Sequence, residues 1–199
     1  MSNLQKKYDT KKLVLTSILT ALVIILQYLA IFLRTSVFSF SFVLIPIVIG
    51  AATCGITTAT WLGFVFGVVV LISGDANPFL MVDAFGTVVT VLAKGTLCGF
   101  ICAVCYQKLE KYNRYFAVVV SAIICPLVNT GVFLLGCLVF FMDTLKGWAM
   151  ALGFGDAVYT YMFVGLIGVN FLFEMAFNIV LSPLVVRLLN IRKPVRKQS

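Results

Sequence analysis

Residues 13–33 carry no charged side chain, although they follow a basic stretch that ends at Lys12. Residues 35–74 carry none either, and residues 115–142 form a third uncharged block. A helix needs about 20 apolar residues to cross roughly 30 Å of hydrocarbon, so such runs predict an all-α membrane protein. The block 35–74 is too long for one helix. Its small and polar string TCGITT (53–58) predicts a tight turn between two short helices, at about 43–53 and 57–73. Pro46 falls in the first turn of the earlier one, where its missing N–H costs little. The other apolar stretches predict helices at about 13–33, 85–106, 115–141 and 160–188. The expected fold is a six-transmembrane-helix bundle over residues 13–190. A basic N-terminal segment (1–12) and a basic tail (191–199) flank it.

The first run exceeds the ~7–15 apolar residues of a cleavable signal core and is read as a retained span. Charge in the connections sets the orientation. Lys and Arg crowd residues 6–12, 107–114 and 187–197, opposed there only by Asp9 and Glu110. The other set of ends carries Arg34 and Lys146 against Asp75, Asp83, Asp143 and Asp156. Basic ends face the cytoplasm, which predicts an N-in/C-in chain with an even number of spans. The net charge of +8 is then a record of topology, and no nucleic-acid partner is needed to explain it. The longer connections, 34–42, 73–85 and 143–160, fall outside and read as irregular.

Two charges lie within predicted spans. Lys94 and Glu174 are level with each other, each roughly 20 Å from the inner face at about 1.5 Å rise per residue. A charge at that depth costs at least ~2.5–3.5 kcal/mol and is usually paired or functional. They sit on polar stripes at helical spacing: Thr87, Thr90, Lys94 and Cys98 on one helix, Asn170, Glu174 and Asn178 on another. Ser121, Cys125 and Asn129 make a weaker third stripe. Two readings stand side by side: a buried Lys94–Glu174 salt bridge, or a polar floor for a ligand pocket. The expected ligand contacts are Lys94, Asn129, Asn170, Glu174 and Asn178, with Asn77 and Asp83 in an outer connection. Phe38, Phe40, Phe79, Trp148 and Tyr159 are candidates to stack on a heterocycle, or else form the aromatic belt of a membrane interface.

Gly63/Gly67 and Gly95/Gly99 are G-x-x-x-G pairs, which let helix backbones approach and are expected to pack internally. All six cysteines lie in apolar stretches, where packing explains them better than a disulfide framework or a metal site. There is no histidine, no phosphate-binding loop and no embedded-hydrolase signature. No enzyme and no cofactor is expected, and any uphill movement of a solute must borrow its energy.

Several segments resemble the substrate-binding S components of energy-coupling factor (ECF) vitamin transporters. They are LVLTSILTALVIIL (13–26), FSFSFVLIPIVIGAATCGITTATWLGFVFGVVVLISG (38–74) and the ending NIVLSPLV (178–185). The resemblance implies a protein of the bacterial cytoplasmic membrane that binds one vitamin or related micronutrient from the outside with high affinity. It implies a pocket among the later helices, capped by outer loops. It also implies association with a transmembrane coupling subunit and two ATP-binding cassette ATPases. The family's first helix carries Ala-x-x-x-Ala toward the coupling subunit; here the pair is Ser17 and Ala21. A scaffolding subunit of a larger complex and a self-sufficient facilitator are the alternatives.

Overall fold

In the computed structural model, residues 3–32 and 42–191 are described; side chains 3–9, 169–170, 184–186 and 188–191 are not. The described chain is helical throughout. Helices α1 (Asn3–Phe32), α2 (Leu44–Cys54) and α3 (Ile56–Ile72) lead into a single turn, α4 (Asn77–Leu80). The long hairpin α5 (Ala84–Leu109) and α6 (Arg114–Phe140) follows, then α7 (Met142–Ala151). The short α8 (Val158–Thr160), a π-helical segment (Tyr161–Ile167) and α9 (Gly168–Ile191) complete the chain.

Three stretches are long and apolar enough to cross a membrane unaided: Thr10–Phe32, Ala84–Leu109 and Arg114–Phe140. The last apolar stretch qualifies only as a bent pair. The expected straight helix over 160–188 is broken by 41° between Val158–Ile167 and Phe171–Pro183. Gly168 sits in the break with φ +38, a conformation that side-chain-bearing residues rarely adopt. The turn expected within TCGITT falls on Gly55, whose φ of +86 separates α2 from α3. The 11 residues of α2 extend only about 16 Å, near half of the hydrocarbon thickness.

The architecture is organised around α5, with α3 on one side and α6 on the other. The two glycine pairs face each other across the α3–α5 crossing. A Cβ on Gly63 would collide with the Gly95 carbonyl, and one on Gly95 with the Gly63 carbonyl. Gly99 meets the Ala59 carbonyl in the same way, and Gly67 the Val91 carbonyl. The backbones are therefore in direct contact. In lipid, where tails are as apolar as leucine, such close packing is what holds helices together. Across α5–α6, Gly136 receives the Thr90 side chain, the Cys98 and Cys125 sulfurs approach to 3.0 Å, and Ser121 Oγ donates to the Cys102 carbonyl at 3.5 Å. Among the described residues, the cysteines are free and fill helix contacts.

Two apolar cores result. The larger joins α1, α2, α3, α5 and the first half of α6, and includes Val23, Ile47, Leu62, Phe66 and Cys98. The smaller gathers Cys137, Phe141, Leu145, Ala149, Val158, Tyr161 and Met162 at the far end of α6. It exists because residues 143–160 do not form the irregular loop expected. α7 folds there, burying Leu145 and Ala149 one turn apart, with an Asp143–Lys146 ion pair of 3.1 Å on its exposed side.

Gly95→Ala is expected to lower the thermal midpoint in detergent by several degrees, at a cost of about 1–3 kcal/mol or more for overpacking. A Cβ at Gly131 meets nothing within 4 Å, so Gly131→Ala should leave the midpoint unchanged or raise it. Paired melting curves of the two variants check this.

Candidate functional site

Lys94 follows from the glycine crossing. It precedes Gly95 on α5 and therefore emerges at the edge of the α3–α5 contact, turned toward the gap between α3 and α6. Its Nζ lies 5.9 Å from the Phe66 ring centre on α3 and 5.1 Å from that of Phe133 on α6. Phe66 belongs to the larger core, and Phe133 packs against the smaller one. The ammonium thus occupies the seam between the two. Part of its surface stays accessible there.

The salt bridge weighed from the sequence does not form: Lys94 and Glu174 are not within ion-pair distance of each other. Asp75, in the connection after α3, and then Glu174 are the carboxylates that act most on the Lys94 charge. Two cation–π contacts worth about 0.5–2 kcal/mol each go far toward offsetting an insertion cost of ~2.5–3.5 kcal/mol. They leave the three N–H donors of Lys94 without a hydrogen-bond acceptor among the described residues.

An aromatic wall rises above Phe133. Phe79, from α4, meets Phe133, Phe141 and Trp148 edge-to-face, with ring centres 5.5, 5.1 and 5.5 Å apart. Two of the aromatic residues singled out in the sequence, Phe79 and Trp148, are therefore brought together over the Lys94 seam. Tyr159 is not: it is 60% exposed and stands outside the cluster. Phe38 and Phe40 lie outside the described residues.

Asn129 lies one turn from Phe133 on the same face of α6. It is 8% exposed, and its Oδ1 has no hydrogen-bond partner among the described residues. An orphaned buried acceptor costs about 1–3 kcal/mol unless water or a ligand donor meets it. On α9, Glu174 is half-buried, and Asn178 Nδ2 donates to the Glu174 carbonyl at 2.8 Å. Ser182 Oγ donates in turn to the Asn178 carbonyl at 2.8 Å. Much of the Asn178 amide's capacity is thus spent within its own helix. Asn170 is on α9, and its side chain lies outside the described set.

The two outer-connection candidates do other work. Asp83 caps α5, its carboxylate accepting from the Gly86 N–H at 3.1 Å. Asn77 opens α4 and is exposed, with its side chain against Gly74. Ser17 and Ala21 lie on the exposed face of α1, opposite the buried Leu19, Val23 and Gln27. The Ser17 hydroxyl donates to the Leu13 carbonyl at 3.0 Å, which satisfies it within the helix and leaves a small, smooth surface.

Four participants were missed from sequence: Phe66, Phe133, Asp75 and Gln27. Phe133 had a legible signal, since Ser121, Cys125, Asn129, Phe133, Cys137 and Phe141 recur every four residues and continue the polar stripe into the rings.

Residues 11–186 match the family described as "ECF transporter, substrate-specific component". No curated protein and no solved structure matches the chain.

Asp83→Ala should remove a helix cap worth about 1 kcal/mol, lowering the melting midpoint by about 2–4 °C for a chain of this size. Asp83→Asn should recover most of that loss. A melting series of the three proteins checks the assignment.

Proposed function

Because this chain belongs to the substrate-specific components of ECF transporters, membrane-embedded transport subunits and not enzymes, we propose that it captures a small water-soluble vitamin or related micronutrient at the Lys94 seam. In this reading the protein crosses the bacterial cytoplasmic membrane six times with both ends inside, the charge asymmetry of its connections supporting that orientation. The aromatic wall of Phe79, Phe133, Phe141 and Trp148 is then the outer side of the pocket, and Lys94 with Asn129 its floor. Glu174, Asn170 and Asn178 line it from α9. Uptake is energised by a coupling subunit and two ATP-binding cassette ATPases, with the small-residue face of α1 at Ser17 and Ala21 as a docking surface.

The observation that carries this reading is the state of Lys94. An ammonium held between two rings, outside ion-pair reach of Glu174 and with no acceptor for its N–H groups among the described residues, is a site awaiting one. The ligand it suits is a planar ring system, for the aromatic wall, bearing a carboxylate or another strong acceptor for Lys94. The orphaned Asn129 oxygen adds a place for a ligand N–H or O–H donor.

A thermal-shift screen of the purified protein against water-soluble vitamins tests the proposal. One compound at 100 times its Kd should stabilise the chain by about 2.7 kcal/mol. Lys94→Met should abolish that shift, and Glu174→Gln should weaken binding less severely. Stabilisation that survives Lys94→Met would place the ligand elsewhere.

A further inference from the structure

The buried face of α1 is apolar apart from one strong polar group. Leu19, Val23, Gln27 and Ala30 succeed one another at helical spacing, and Gln27 is only 3% exposed. Its Nε2 donates to Asp75 Oδ2 at 3.0 Å, a bond that spans 48 positions of sequence. Asp75 sits in the turn between α3 and α4. That turn also carries Phe79 into the aromatic wall, and Asp75 is the carboxylate acting most on the Lys94 charge. α1 packs on α2 and α3 and has no comparable polar contact with α5 or α6 among the described residues. The Gln27 amide is thus the polar bridge from the first helix to the charges of the site.

We propose that Gln27 is a positioning residue of the Lys94 site: it fixes Asp75 as the fixed counter-charge of Lys94 and so links the seating of α1 to what happens at that ammonium. The consequence for transport rests on the site reading above. A ligand acceptor arriving at Lys94 competes with Asp75 for its charge. Because coupling between two sites is reciprocal, the change is felt at Gln27 and hence by the helix that bears Ser17 and Ala21 on its other side. A merely local tie between α1 and the α3–α4 turn would hold Asp75 as well, yet would be indifferent to Lys94.

A mutant cycle on the full chain in detergent, with no ligand present, separates the two. Melting midpoints are measured for Gln27→Met, Lys94→Met and the double variant, and again for all three in an Asp75→Asn background. Residues sharing a partner show non-additive effects, whereas independent ones add. The expected result is that the double variant loses less than the sum of the single losses, by at least ~2 °C. In Asp75→Asn the same two changes should add. Additivity in the native background would overturn the proposal and leave Gln27 a local tie. Should Gln27→Met give no folded protein, Gln27→Asn, one methylene too short for the bond, takes its place in the same cycle. If the cycle is coupled while a stabilising vitamin still binds Lys94→Met, the ligand-site reading falls and the linkage stands. If Lys94→Met abolishes binding while the cycle is additive, the linkage alone falls.

Discussion

The α3–α5 crossing, with four backbone contacts that no side chain could enter, is the constraint on which the remaining structure depends. Gly63 and Gly95 lie against each other's carbonyls, and Gly67 and Gly99 extend the contact by a turn in each direction. A membrane offers little hydrophobic reward for pressing helices together, so association must come from close packing and polar contacts. The crossing supplies the first. It also determines where the next residue, Lys94, goes. With α5 pressed onto α3 and α6 packed on its other flank, the lysine has one route, into the seam between Phe66 and Phe133.

That seam is a boundary between two bodies of apolar packing. The larger core is made by the first three helices and the α5–α6 hairpin, and the smaller by α7, α8 and the end of α6. Phe79 reaches across from α4 to Phe133, Phe141 and Trp148, so the wall is built by elements distant in sequence. Close by, the π-helical Tyr161–Ile167 and the break at Gly168 redirect the last apolar segment before it presents Glu174. π-helical turns often mark functional sites, and this one lies between the smaller core and the polar face of α9.

Much of this was legible in the residues. Long uncharged runs located the main helices to within a few positions, and Gly55 marked the α2–α3 turn because only a glycine or its like breaks such a run cheaply. The paired glycines announced close packing, and Lys94 stood out as a charge at membrane depth. The site's neighbours were harder to see. Phe66 and Phe133 look like any lipid-facing ring until the helix rotation is known. Gln27 and Asp75 meet across 48 positions, a separation that no local pattern reports. Asp83 could serve as cap or contact from sequence alone, and the Gly86 N–H decides for the cap. The 143–160 segment read as a loop because its glycines and aspartates suggest turns. The burial of Leu145 and Ala149 against α6 and α8 overrides that local signal.

The account stands or falls on whether a solute enters the seam beneath the aromatic wall. The chain has 2 tryptophans: Trp148 in the wall, and Trp61 at the half-exposed edge of α3. The most direct measurement is the emission of Trp148 in a Trp61→Phe background, titrated with whichever vitamin stabilises the protein. The account predicts a saturable change in Trp148 emission with the same midpoint as the stabilisation. A vitamin that binds and stabilises while Trp148 emission stays constant would contradict it.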